Sequence, residues 1–199
     1  MNVTLIDSPV ANTANIARAL QAVGADVRLT RDAGVIAAAS KIVLPGVGSF
    51  RAAMTWVIAN EIDAVIRRAI AGGASLLGIC VGHQILFDAS EEMGNTAGLG
   101  LVRGNVRKLQ GTLPVPQIGW NRVQFDANPL FDGVAAGTPF YFVNSYAASN
   151  AEAEIASARY GARFTAAVQS ERVFGVQFHP EKSSTAGLRV LRNFVEKIR

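Results

Sequence analysis

One cysteine and two histidines stand in a chain of 199 residues, and that shortage excludes several classes at once. A lone cysteine cannot close an internal disulfide, so a disulfide-built secreted scaffold is excluded and a reducing, cytoplasmic setting is expected. Cys80, His83 and His179 are too few for a conventional Cys/His zinc site, and neither a metal nor another cofactor is expected. Long apolar runs are missing too. Stretches such as Val35–Ala39 and Phe140–Val143 fall well short of the about 20 residues that a spanning helix needs, so no membrane association is expected. No basic region precedes the first apolar stretch and Asp7 interrupts it early, which is unlike a signal peptide. Lysine is scarce, with 4 against 15 arginines, inside a formal net charge of +4. The basic residues are scattered, no run being longer than a pair such as Arg67-Arg68, and no zinc finger or aromatic–basic motif accompanies them. Nucleic acid is therefore not an expected partner.

What the chain does have is 50% hydrophobic residues against 17% charged, enough for a substantial core in one domain spanning 1–199. The first half alternates β-branched runs with helical patterns. Val3–Ile6, Val27–Leu29, Lys41–Leu44 and Ser75–Ile79 read as strands, the third stopped by Pro45-Gly46. A helix capped by Asn12 or Thr13 puts Ile16, Ala19, Leu20 and Val23 on one face, and another runs from about Glu61 to Ile70. Between Leu99 and Gln177 the rhythm changes to short alternating runs, expected as antiparallel strands and hairpins added to the same sheet. A terminal amphipathic helix carries Leu188, Leu191, Phe194, Val195 and Ile198. The expected fold is α/β: an open, mixed and mostly parallel sheet flanked by helices, flavodoxin-like, with antiparallel additions in the second half.

The only cysteine lies in Gly78-Ile79-Cys80-Val81-Gly82, between a strand and a helical pattern. This is the Gly-Xaa-nucleophile-Xaa-Gly elbow with a thiol in place of a hydroxyl. A strand that reverses sharply into a helix leaves no room for Cβ atoms on either side, and the helix N-terminus brings partial positive charge to the sulfur. A thiol nucleophile needs a base and a group that orients the base. His179-Pro180-Glu181 supplies both: Pro180 biases His179 toward extended backbone, where residues i and i+2 lie on one side, about 6–7 Å apart. His83, three residues after Cys80, has Glu91 and Glu92 as its nearest useful carboxylates, two turns or more along. It reads as a packing or pocket residue. The Pro45-Gly46-Val47-Gly48 loop follows the third strand, at the sheet end where ligands bind. The backbone N–H groups of Gly46, Val47 and Gly48, with that of Val81, are candidate oxyanion donors.

Together, Pro45-Gly46-Val47-Gly48-Ser49-Phe50, the elbow through Gln84, and Phe174 to Ser183 resemble the class I glutamine amidotransferases, in order and over nearly the whole chain. The resemblance implies hydrolysis of the glutamine side-chain amide by a Cys80–His179–Glu181 triad through a γ-glutamyl thioester. It also implies that Gln84 and Glu92 hold the substrate, with backbone contacts from Ser145 and Tyr146. Smaller features are similar to the glutaminase subunits of imidazole glycerol phosphate synthase, in histidine biosynthesis: Gly98-Leu99-Gly100-Leu101, Gly119-Trp120-Asn121 and Asn144-Ser145-Tyr146 among them. That likeness implies a heterodimer in which ammonia passes to a separate (β/α)8-barrel cyclase, docked on Asn12, Asn15, Trp120, Tyr141 and Lys182. Departures from its pattern are Gln117 and Asn144, where histidine is usual or frequent, Pro9-Val10-Ala11 before Asn12, and His83, where methionine is common. The alternatives are a glutaminase subunit of another pathway (pyridoxal phosphate or anthranilate synthesis), a free-standing cysteine hydrolase, and a catalytically silent binding subunit.

Overall fold

The computed structural model describes residues 1–9, 11–149 and 151–198. β1 (Asn2–Ile6), β2 (Asp26–Thr30), β3 (Lys41–Gly46) and β4 (Ser75–Cys80) alternate with α1 (Thr13–Ala22), α2 (Ala33–Ala37), α3 (Phe50–Ala59) and α4 (Ile62–Ala71). Side-chain caps set three of the helix starts. Asn12 accepts from the Asn15 N–H at 3.3 Å, Asp32 from Val35 at 2.9 Å and Ser49 from Ala52 at 3.3 Å. α2 and α3 are not among the sequence expectations, although the α3 signal is present: Phe50, Ala53, Met54 and Val57 recur at helical spacing and are buried. The altered segment Pro9-Val10-Ala11 falls partly outside the described residues, at Val10.

After β4 the chain makes α5 (Val81–Gln84), the short strands β5 (Ala89–Ser90), β6 (Thr96–Ala97) and β7 (Asn105–Lys108), then β8 (Gln117–Phe125) and β9 (Pro139–Asn144). β10 (Tyr146–Ala148), β11 (Glu154–Tyr160), β12 (Ala162–Ser170), β13 (Val173–Val176), a 3-10 turn (Pro180–Lys182) and α6 (Ser184–Glu196) complete it. Nine strands form one sheet in the order β2-β1-β3-β4-β13-β12-β11-β8-β9. The first five are parallel and the last four are added antiparallel.

Two expectations need correction. β3 does not stop before Pro45-Gly46: Pro45 pairs with Ile79 and Gly46 with Cys80, because β4 continues the ladder after β1 has left it at Val43. The second-half strands do not all join one sheet either. β10, β7, β5 and β6 make a separate four-stranded sheet, to which the chain returns one residue after leaving β9. The consequence for the site comes from β13, which pairs parallel with β4, Val176 opposite Ile79. Segments about a hundred residues apart in sequence thus end side by side, at the carboxyl edge where open α/β sheets bind ligands.

The buried apolar residues form one contiguous cluster. Phe178 stacks against Phe140 with ring centroids 4.2 Å apart and touches Phe131 and Phe142, so the residue before His179 is anchored in the core. α6 buries Val190, Leu191, Phe194 and Val195, with Leu188 only half-buried at the edge of that stripe. Its end is held by Lys41, whose Nζ donates to the Phe194 carbonyl at 3.0 Å and to that of Ile198; burial lowers the amine's pKa. No helix among the described residues is long and apolar enough to cross a membrane.

Candidate active site

Cys80 closes β4 at φ 55°, ψ −111°, a region a non-glycine residue rarely occupies. The elbow needs its two glycines for steric reasons. A Cβ on Gly78 would lie 2.6 Å from the Gly82 carbonyl oxygen, and one on Gly82 would strike the carbonyl oxygen of Leu44 in β3. The helix after the elbow is shorter than the sequence pattern predicts. α5 is a single turn, because after the Ile85 N–H bonds Val81 the N–H groups of Leu86 and Phe87 bond only three residues back and that of Asp88 bonds Gly104. The polarity at the sulfur therefore comes from first-turn N–H groups such as that of Val81, not from a long helix.

His179 comes to the same place from β13. Its N–H donates to the Tyr141 carbonyl at 2.8 Å, and the Ser183 hydroxyl donates to the His179 carbonyl at 2.6 Å while accepting from the Tyr141 N–H at 2.9 Å. The backbone is thus clamped to β9. Glu181 reaches the ring as expected, with Nδ1 and Oε1 2.8 Å apart, but by a different route: it stands in the 3-10 turn Pro180–Lys182, not on extended chain. The Glu181 side chain is 1% exposed, and its Oε2 has no hydrogen-bond partner among the described residues. A carboxylate so enclosed relies on a neighbouring positive charge. Burial alone would pull the His179 pKa down; hydrogen bonds and charge attraction from Cys80 and Glu181 outweigh it and push the pKa up to about 10. At neutral pH the ring is an imidazolium between sulfur and carboxylate.

A cleft of about 270 Å³ opens over Cys80, at the small end of the range for small-molecule sites. Val47, Gly48, Val81, Gln84, Glu92, Ser145, Tyr146 and His179 all line it. Gly46 does not: it stands one step back in β3, opposite Cys80. Gln84 spends Nε2 on two acceptors, the Tyr146 carbonyl at 2.8 Å and Gln177 Oε1 at 3.0 Å. Glu92 Oε2 accepts from the Phe50 N–H at 2.7 Å, which ties its segment to the start of α3. The Ser145 carbonyl accepts from Leu109 N–H at 2.9 Å. The sequence reading misses Val143, whose carbonyl accepts from the Cys80 thiol at 3.8 Å, and the lining residues Pro116 and Asn144. Val143 and Asn144 end β9 and Pro116 immediately precedes β8, all far from Cys80 in sequence, so no local spacing marks them.

His83 is a core residue and not part of the cleft. It is fully buried, edge-on to Phe87 at 5.2 Å, and desolvation lowers its pKa to about 3. The cause is burial. Gln117 and Asn144, two departures from the family pattern, face each other across β8 and β9.

Of the five residues expected at a docking surface, three cluster. Trp120, 55% exposed, meets the Tyr141 ring edge-on at 5.9 Å, and Lys182 Nζ lies 5.7 Å from the centre of that ring. Asn12 and Asn15 begin α1, which packs against the turn holding Lys182. Ile118, two residues before Trp120 on the same side of β8, is also exposed; strand alternation could have found it. Among the described residues no group of three or more His, Cys, Asp or Glu side chains is arranged to hold a metal.

A family model described as glutamine amidotransferase class-I matches residues 4–198. The chain is 44% identical over 200 residues to imidazole glycerol phosphate synthase subunit HisH of Moorella thermoacetica, covering 99% of this chain and 95% of that one. It is 42% identical over 200 residues to the HisH subunit of Haemophilus influenzae, covering 100% and 98%. Among solved structures, one described as a glutamine amidotransferase superposes with a TM-score of 0.75 at 18% identity, covering 97% of each chain. The PurLQS structure from Thermotoga maritima gives 0.74 at 19% identity, covering 100% of this chain and 99% of that one. At those identities the structural likeness bears on the fold alone.

Proposed function

The chain belongs to the class I glutamine amidotransferase family, and on that footing we propose that it is the glutaminase subunit of an imidazole glycerol phosphate synthase. The observation that carries the chemistry is the meeting, in one small cleft, of a strained elbow thiol with a buried His179–Glu181 pair. Glutamine enters with its carboxamide carbon over the sulfur. Cys80 attacks as the thiolate, and charge develops on the carboxamide oxygen. The Val81 N–H and the Val47–Gly48 backbone, which line the cleft, are the donors that receive it. His179 already carries the proton that the departing nitrogen needs, so collapse expels ammonia and leaves the γ-glutamyl thioester. Water, deprotonated by the now neutral His179, then releases glutamate. Gln84, Glu92, Ser145 and Tyr146 hold the rest of the substrate. No cofactor enters any of these steps.

The ammonia serves a (β/α)8-barrel cyclase that docks on the face built by Trp120, Tyr141 and Lys182, with Asn12 and Asn15 at its rim. The high identity to HisH subunits over the full chain supports that partner, and the exposed Trp120 and Ile118 are the apolar anchors such a face needs. The chain works as a single cytoplasmic domain.

Glutamate release is expected to be weak from the chain alone and strongly raised by the cyclase with its ligand, as measured in a coupled glutamate assay. Robust cleavage of peptides without any partner would contradict this reading.

A further inference from the structure

The motif that carries His179 also contains Gln177, which the chemistry above does not use. Its side chain is wholly buried, and it closes a directed chain of hydrogen bonds. The Tyr146 carbonyl can only accept, and it takes Gln84 Nε2 at 2.8 Å and Asn144 Nδ2 at 3.1 Å. This fixes which end of the Gln84 amide faces Gln177, so Gln84 Nε2 donates to Gln177 Oε1 at 3.0 Å. Gln177 Nε2 is then turned toward Cys80, 4.0 Å from Sγ. On the opposite side the thiol donates to the Val143 carbonyl at 3.8 Å.

The two contacts of the sulfur differ in sign. A neutral thiol can donate to Val143. A thiolate has no proton to give, and a carbonyl beside it repels it; Gln177 is the side-chain amide positioned to donate instead. We propose that Gln177 is a positioning residue for Cys80. It favours the charged sulfur and couples the orientation of that sulfur to Gln84, on the wall of the glutamine subsite. The inference rests on the glutaminase reading given above. The titratable groups around the sulfur are His179 beside it, and Glu92 and Tyr146 in the cleft lining.

The test compares Gln177→Met and Gln177→Glu with the wild-type full chain, in complex with the cyclase for steady-state kinetics. Gln177→Glu preserves the side-chain shape and the acceptor for Gln84 but replaces the donor near sulfur by a negative charge, so it serves should the methionine variant fold poorly. A hydrogen bond to a charged group predicts a kcat reduced about tenfold or more in both, with KM for glutamine nearly unchanged. Because Cys80 is the only cysteine, alkylation by iodoacetamide reports on that sulfur alone, and its rate should fall in parallel. Wild-type kcat and alkylation rate in both variants would overturn the proposal. So would a rise in KM at unchanged kcat, which would put Gln177 in substrate binding. Cys80→Ala, run alongside, keeps the two readings distinct. Its inactivity together with wild-type-like Gln177 variants sinks only the positioning role, whereas its retained activity would sink the glutaminase reading and this one with it.

Discussion

Cys80→Ala is expected to abolish glutamine hydrolysis, lowering kcat by about 10⁴-fold or more, the scale seen when a nucleophile is deleted from a triad. The size of the effect follows from the site's construction. The elbow aims one sulfur into the cleft at the cost of a backbone conformation rarely used by non-glycine residues, and there is no second cysteine to substitute for it. Glutamine binding should survive, because Gln84, Glu92, Ser145 and Tyr146 line the cleft without depending on the thiol. Stability should fall modestly, since Sγ makes long contacts to Val143 and Gln177 and also bonds His179, whose raised pKa it helps to hold. The check is glutamate release in the presence of the cyclase, with the melting temperature as the folding control. Substantial turnover by a folded Cys80→Ala protein would be incompatible with covalent catalysis at this position.

Glu181→Gln should produce the next largest effect, a fall in kcat of about 10²- to 10⁴-fold with KM for glutamine nearly unchanged. Glu181 does not itself line the cleft; it reaches the site through the 2.8 Å bond to His179 Nδ1. The glutamine amide keeps the shape of the site but removes the negative charge that helps hold the imidazolium. The His179 pKa, pushed up to about 10, should therefore drop in the variant, which a ring-proton NMR titration would register. The same shift has a stability consequence. His179 binds its proton more tightly in the folded chain than in the unfolded one, where the ordinary value is 6.5. That contribution to stability is complete below about pH 6.5 and is lost as the pH rises through about 10. In Glu181→Gln the loss should be complete at a lower pH. A variant with normal kcat and an unmoved His179 titration would leave Glu181 without the orienting role.

Much of the site was legible because its chemistry is locally encoded. Two glycines flanking Cys80 mark an elbow wherever the chain carries them, and Pro180 between His179 and Glu181 marks a pair held at short range. The strand–helix alternation of the first half was legible for the same reason: each run announces its own period. What spacing could not give is the parallel pairing of β13 with β4, which brings Val176 beside Ile79 and makes one site of two motifs. Sequence order alone would leave β13 beside its hairpin partner β12, which it also has.

The misreadings have a common origin in tertiary contacts overriding local rules. Pro45-Gly46 signals a turn, but β4 continues to pair with it. Extended backbone is the default around Pro180, but Ser183 returns to the His179 carbonyl and draws Glu181 into a 3-10 turn. Val143 and Asn144 belong to the site because β9 runs past the elbow, which no local spacing announces; only the family resemblance, through the adjacent Ser145 and Tyr146, points to this stretch. Gln177 was different. It lies two residues before His179, the spacing that places side chains on one side of extended chain, and both reach Cys80.

The measurement closest to the central claim is to treat the complex with a glutamine analogue that carries an electrophilic diazoketone in place of the carboxamide, then map the labelled peptides. The expected result is one label per chain, on Cys80, rising in step with the loss of glutaminase activity and blocked by added glutamine. Inactivation with the label on another residue, or complete labelling of Cys80 with activity retained, would contradict the assignment of Cys80 as the nucleophile.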